Sequence, residues 1–323
     1  MSEGQSLKRP VRKQVSSENP WLLVLLVDGS HSMGADWGAS KRSMAETVEQ
    51  AVNQLLYDMA LNYCVTEDPS ESEIKDRIHL KIFVYNREDL VTDPLLDDEG
   101  TYSIASGDSG WVKNYYDQHP YPHPRGSPVV VPRWLMLTPE GTTPMLSAFK
   151  AAREAVEDHI MDYPDSCPPV VLNVSDGEPT DCGDPVDWSL LKAEYEGIAD
   201  LGEGQDKPIV CNVHLGSVAN QPPRFFPSSS PSVGGLESGL WSISSPIPEH
   251  ILRLIESEYQ IGPERNRRFF VFNSDLIHFH KFLHFSTMID SSRKTVADIN
   301  RGGFVANAGA IVLDADFEVI EEE

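Results

Sequence analysis

The chain has 323 residues, 40% of them hydrophobic and 24% charged, a balance that points to a globular protein. Its formal charge is −24, from 26 Lys and Arg against 50 Asp and Glu, which repels nucleic acid and attracts cations. No run of about 20 apolar residues occurs, so no membrane span is expected, and the widely separated Cys64, Cys167, Cys182 and Cys211 read as reduced thiols of a cytoplasmic protein rather than a disulfide framework or zinc site.

Residues 1–19 form a polar, partly basic tail, expected to be disordered rather than a signal peptide. "WLLVLLV" (21–27) is short and continuously apolar, the pattern of a fully buried strand. A helix is predicted over 40–62, where Met44, Val48, Val52, Leu55, Leu56 and Met59 recur at helical spacing. Ser43 and Glu46 are spaced as a capping box at its start. "IHLKIFVY" (78–85) reads as a second strand.

The pattern then dissolves into an insertion at about 96–133, with a short strand near Tyr102–Ala105. Loops this long in a compact domain are usually functional or mobile. Trp111, Tyr115, Tyr116 and Tyr121 are rigid aromatics of the kind enriched at interfaces, and this segment leads toward the loop at Thr143. Thr143 is a good N-cap, Pro144 suits the first helical position, and Leu146, Phe149, Ala152, Val156 and Ile160 make one face.

"PPVVLNVSDGEPTD" (168–181) is a buried strand ending in acids. A helix over 187–201 and a third buried strand, "PIVCNVHLGS" (208–217), follow. Residues 218–248 are rich in Pro, Ser and Gly and read as a flexible insertion. Then come a helix at 248–259, the strand "FFVFN", and a helix holding "LIHFHKFLHF", with Phe279, Phe282 and Phe285 as a packed face. A strand-like stretch and an acidic tail at 316–323 complete the chain, leaving one domain over 20–315. Apolar strands alternating with amphipathic helices argue an α/β fold, with a mostly parallel central sheet and helices on both faces. In such sheets ligands bind beyond the carboxyl ends of the strands, at a topological switch point.

Three fragments supply oxygen donors where strands end: "DGSHS" (28–32), "GTTP" (141–144) and "SDGEPTD" (175–181). Each alone reads as turn or cap chemistry. Together they place carboxylates and hydroxyls at one sheet mouth, the donor set a hard divalent cation takes. If the backbone stays extended, Asp28, Ser30 and Ser32 face one way, because strand side chains alternate.

This order of motifs resembles the von Willebrand factor A domain and its metal-ion-dependent adhesion site. The family pattern is D-x-S-x-S, then a threonine in a Gly-Thr-Pro type loop, then an aspartate opening "DG" after a buried strand. It falls here on Asp28, Ser30 and Ser32, then Thr143, then Asp176. The resemblance spans about residues 20–300 by element order. It implies a doubly wound α/β sheet and these five residues as the metal set, holding Mg2+ or Mn2+. It also implies a binding module rather than an enzyme, with a protein partner supplying an Asp or Glu to the metal. "LTPEGTTPMLSAFKAAREAVEDHI" is similar to bacterial cytoplasmic members, which serve in assemblies with ATPases, kinases or phosphatases, including those of stress resistance. His31 stands where many members have glycine, and Thr142 is the alternative to Thr143.

A metal-assisted phosphoesterase using the same acids is the other reading. The sequence singles out no acid–base residue for it. Ser30 and His31 are neighbours whose side chains point apart in an extended segment, and no G-x-S-x-G, P-loop or G-x-G-x-x-G motif occurs. His280 and His284 lie one helical turn apart beside His278, but no third acid or cysteine completes a zinc signature.

Overall fold

The computed structural model describes residues 15–37, 42–59, 63–64, 76–87, 134–216, 222–230, 235–259, 261–274, 279 and 282–283, and the backbone of short strands at 90–92, 102–103, 120–121 and 129–130. Most of the N-terminal tail, Trp111, Tyr115, Tyr116, the three histidines 278, 280 and 284, Phe285, and the C-terminal strand and acidic tail lie outside the described residues.

In chain order the elements begin with β1 (Trp21–Asp28), a 3-10 turn (His31–Gly34), β2 (Asp36–Trp37), β3 (Arg42–Ser43), α1 (Met44–Met59) and β4 (Ile78–Arg87). Four short strands follow: β5 (Leu90–Thr92), β6 (Tyr102–Ser103), β7 (Pro120–Tyr121) and β8 (Val129–Val130). Then come α2 (Met145–Asp162), β9 (Val170–Ser175), α3 (Trp188–Ala199), β10 (Ile209–Leu215), β11 (Arg224–Phe225), α4 (Leu236–Ser242), α5 (Glu249–Tyr259) and β12 (Phe270–Ser274). The main sheet runs β11-β12-β10-β9-β1-β4-β5, with β6 also on β4. Strands β12, β10, β9, β1 and β4 are parallel, and β11, β5 and β6 are antiparallel additions.

Every residue of β1 is buried, which is why its sequence is apolar without alternation. Leu23, Leu25 and Val27 enter one core with α1 and α5. Leu22, Val24 and Leu26 enter the other with α2, α3 and α4. Helices therefore cover both faces, as the sequence pattern predicts.

Helix α1 begins at Met44, later than predicted, because Arg42 and Ser43 pair with Asp36 and Trp37 instead. The capping box forms: the Glu46 amide donates to Ser43 Oγ at 3.1 Å, and the Ser43 amide donates to Glu46 Oε2 at 3.0 Å. Helix α2 differs from expectation. Pro144 holds the N-cap position with no side-chain bond, and Thr143 does not cap. The cap comes from Asp181, in the loop after β9, which accepts from the amides of Leu146 at 3.0 Å and Ser147 at 2.8 Å. The flexible reading of 218–248 does not hold for the described residues 222–230 and 235–248. Within it, β11 pairs with β12 and α4 packs inward through Leu240, with Gly239 against the Trp188 ring. A few apolar residues outweigh the Pro/Ser composition around them.

The chain runs from β1 outward to β4, then returns to β9 on the opposite side of β1. The reversal lies between β1 and β9. Their carboxyl ends, Asp28 and Ser175, flank the place where such sheets open a crevice.

Candidate functional site

The parallel register pairs Val27 with Val174, so the next residues, Asp28 and Ser175, stand side by side. Ser175 Oγ donates to Asp28 Oδ2 at 2.6 Å, and the Ser30 amide donates to Asp28 Oδ1 at 2.9 Å. Beyond Ser30 the backbone does not stay extended, contrary to expectation. It tightens into the 3-10 turn, and this turn, not strand alternation, brings the serines together. Ser30 Oγ and Ser32 Oγ are 3.0 Å apart, and Ser32 Oγ donates to Asp176 Oδ1 at 2.9 Å. Two carboxylates and two hydroxyls from strand ends 147 residues apart in sequence thus share one cradle.

Thr143 arrives on a loop pinned from three sides. The Glu140 amide donates to the Gly29 carbonyl at 2.9 Å, and the Thr142 amide to the Asn86 carbonyl at 2.8 Å. The Thr180 amide donates to the Thr143 carbonyl at 2.9 Å, and the Thr143 amide returns a bond to Thr180 Oγ1 at 3.1 Å. Gly141 makes the loop possible: its φ is +73°, and a Cβ there would run into the Asn86 carbonyl. Thr143 is buried while Thr142 is exposed. A Cβ on Gly177 would sit 3.7 Å from Thr143 Oγ1, so this hydroxyl faces the Asp176–Gly177 turn. Among the described residues nothing hydrogen-bonds to it. Of the five residues singled out from sequence, Asp28, Ser30, Ser32 and Asp176 are joined by hydrogen bonds, and Thr143, buried where Thr142 is exposed, stands beside the Asp176–Gly177 turn.

The electrostatics are unbalanced. Asp28 is fully buried and Asp176 is 8% exposed. Burial pushes the Asp28 carboxyl up to about 7; the neighbouring Asp176 adds to this, and hydrogen bonds from Ser175 and Ser30 oppose it. Asp176 is also raised by burial, against its bond from Ser32. Tyr85, opposite Asp28 on β4, has its hydroxyl held well above the usual range by burial and by Asp28. Among the described residues, no Lys, Arg or His forms an ion pair with either carboxylate.

The donor set is oxygen only, which suits Mg2+ or Mn2+ and not a thiolate- or imidazole-seeking ion. No three His, Cys, Asp or Glu side chains among the described residues group as metal ligands. This cradle has two acids and completes its set with hydroxyls. His31 is exposed at the rim, its amide 3.4 Å from the Gly141 carbonyl. Ser30 Oγ bonds to Ser32, and the pair Ser30–His31 forms no nucleophile–base contact among the described residues.

Sequence reasoning missed Ser175, Thr180 and Asp181. All three lie inside "SDGEPTD", but their partners are on β1, on the 141–144 loop and on α2. Knowing that β9 neighbours β1 would have revealed Ser175, as the residue in register with Asp28.

No family model matches this chain, and no curated protein matches it. Among solved structures, it is similar to the pilus adhesin SpaC from Lactobacillus rhamnosus GG, with a TM-score of 0.38 and 13% identity. The match covers 63% of this chain and 25% of the adhesin, so the chain spans about a quarter of that protein's length. A likeness this weak has no bearing on function.

Proposed function

We propose that the chain is a divalent-metal-dependent protein-interaction module of the von Willebrand factor A type. One observation carries the reading. Two buried carboxylates lie together without a counter-charge among the described residues, beside three hydroxyls, at the switch point of a parallel sheet. Leaving buried like charges uncompensated is costly, and a divalent cation reverses that balance.

Asp28, Ser30, Ser32, Thr143 and Asp176 would hold Mg2+ or Mn2+. Asp28 and Asp176 supply the negative charge, directly or through water. Ser30, Ser32 and Thr143 supply neutral oxygens and so leave the centre short of full neutralisation. The bound cation would attract an outside anionic oxygen, here an Asp or Glu of a partner protein. A chain charge of −24 repels acidic proteins at long range, so the partner is basic or neutral overall and presents one acid to the site. The setting we assign is a cytoplasmic multiprotein system, with an ATPase, kinase or phosphatase as the class of partner. Among the described residues no helix is long and apolar enough to cross a membrane.

The test is thermal unfolding with Mg2+ or Mn2+ against chelator. A ligand that binds only the native state adds ~2.7 kcal/mol at about 100-fold over Kd. Asp28→Ala or Asp176→Ala is expected to erase the shift. Melting of the wild-type protein that ignores both metal and chelator would overturn the reading.

A further inference from the structure

Beneath the five oxygen donors lies a second layer of polar side chains that no solvent reaches. Ser175, Asn173 and Asn212 are fully buried, on the sheet face that α2 covers. Tyr85 Oη donates to Asn173 Oδ1 at 2.8 Å, and Asn173 Nδ2 donates to Asn212 Oδ1 at 3.0 Å. Asn212 Nδ2 donates in turn to Ser244 Oγ at 2.9 Å and to the Ile243 carbonyl at 3.0 Å. The ladder ties β4, β9 and β10 laterally just below the cradle. Satisfied buried networks of this kind specify one geometry.

Ser175, two residues after Asn173 on the same strand, bonds to the donors above that layer. Its hydroxyl is 2.6 Å from Asp28 Oδ2 and 3.2 Å from the Gly177 carbonyl, and it has one proton to give. The shorter, charge-assisted bond takes it. The Gly177 amide then donates back to Ser175 Oγ at 3.2 Å. One side chain thus grips the acid ending β1 and the turn carrying Asp176. We propose that Ser175 is a positioning residue for the cation. It holds Asp28 in its metal-facing orientation and fixes the spacing between the β1 and β9 halves of the cradle. It acts through Asp28 and is not counted among the donors, its hydroxyl being taken up by the Asp28 carboxylate and the Gly177 amide.

The inference rests on the metal reading above, and the experiment separates the two. Mn2+ binding to the full chain is followed by the electron paramagnetic resonance signal of the ion, and melting in chelator reports the folded fraction. Ser175→Ala is expected to weaken Mn2+ binding by about 10- to 100-fold, the range seen when partners of metal ligands are removed. Ser175→Thr, which keeps the hydroxyl, is expected to restore it. Ser175→Cys fills the same space with a weak donor and carries the test should the alanine variant not fold. Ser244→Ala breaks the far end of the ladder without touching Asp28; it is expected to lower the melting temperature and leave Mn2+ affinity unchanged. Wild-type affinity in Ser175→Ala, or equal losses in Ser175→Ala and Ser244→Ala, would overturn the positioning role. Failure of the wild-type chain to bind Mn2+ would overturn the metal reading and this inference together.

Discussion

The two ends of the sheet each bury a pair of like titratable groups. At the carboxyl end these are Asp28 and Asp176. At the amino end they are His79, near the start of β4, and His159, near the end of α2, with ring centroids 5.5 Å apart and Tyr163 packed at 5.1 Å from each. The histidines escape the conflict by shedding their protons. Burial pushes His159 down to about 4, helped by His79 and opposed by its bond to the Pro20 carbonyl, and burial also lowers His79, against the pull of Asp76. A neutral imidazole pair carries no buried charge at pH 7 and works as packing, with His79 Nδ1 and His159 Nε2 left without a hydrogen-bond partner among the described residues. The aspartates have no equally easy escape, since near neutrality they still hold charge that no described cation offsets. The same burial makes one end a neutral structural joint and leaves at the other the uncompensated carboxylates on which the proposed cation site rests.

The sharpest way to break this comparison is to neutralise Asp28. Its folded pKa of about 7 lies above the ordinary 3.8, so in metal-free protein the folded state holds the extra proton between those values. Stability therefore falls as pH rises through that window, and the penalty is complete above it, amounting to about 4 kcal/mol at most. Asp28→Asn is expected to be more stable than wild type in chelator at pH 8, to converge with it near pH 4, and to show no response to Mg2+. Denaturant unfolding at both pH values reads this directly. A variant less stable than wild type at pH 8 in chelator would mean that the carboxylate is not uncompensated.

At the other end the sign is opposite. His159 has a folded value of about 4 against the ordinary 6.5, so its stabilisation is complete above 6.5 and lost as pH falls toward 4. The full shift corresponds to about 3 kcal/mol. His159→Phe keeps a ring against His79 and Tyr163 and removes the titration. The acid limb of the stability curve should become shallower, with His214, also pushed down to about 4 by burial, keeping part of it. The Mg2+ response should be unchanged. If His159→Phe altered metal affinity, the two ends would not be independent.

The two ends also differ in how far the sequence reveals them. The five oxygen donors carry local signatures: an acid at the end of an apolar run, hydroxyls two apart, a Gly-Thr-Thr-Pro loop, and "DG" after another apolar run. Those signals survive without knowing the fold. The alternating strands and helices were legible for the same reason, since periodicity is a local property. His79 and His159 carry no such signal, because only the packing of α2 over β4 brings them together. Ser175 stayed hidden because its role depends on which strand lies next to β9. The turn at His31–Gly34 is not legible either: strand alternation holds only if the backbone stays extended, and past the end of β1 no neighbour enforces it.

The mildest perturbation tests the span between these regions, α2 itself, which starts at the Thr143 loop and ends at the histidine joint. Its N-terminus is capped from a distance: Asp181 takes the Leu146 and Ser147 amides, and Ser147 Oγ donates to it as well at 3.0 Å. A local cap from Thr143 would have drawn that hydroxyl away from the cradle, so borrowing the cap from the loop after β9 leaves Thr143 free to face Gly177. Asp181→Ala should lose about 1 kcal/mol of stability, the usual scale for an N-cap, read as a lower denaturant midpoint in chelator. Because Asp181 also anchors the loop carrying Thr180 to α2, the variant should loosen the Thr143 position and weaken Mg2+ binding modestly, by less than Asp28→Asn. Asp181→Asn, which keeps one of the two acceptor oxygens, should recover only part of the stability. If Asp181→Ala lowered stability with no change in Mg2+ affinity, Thr143 would be held by its own loop contacts, and the remote cap would serve the helix alone.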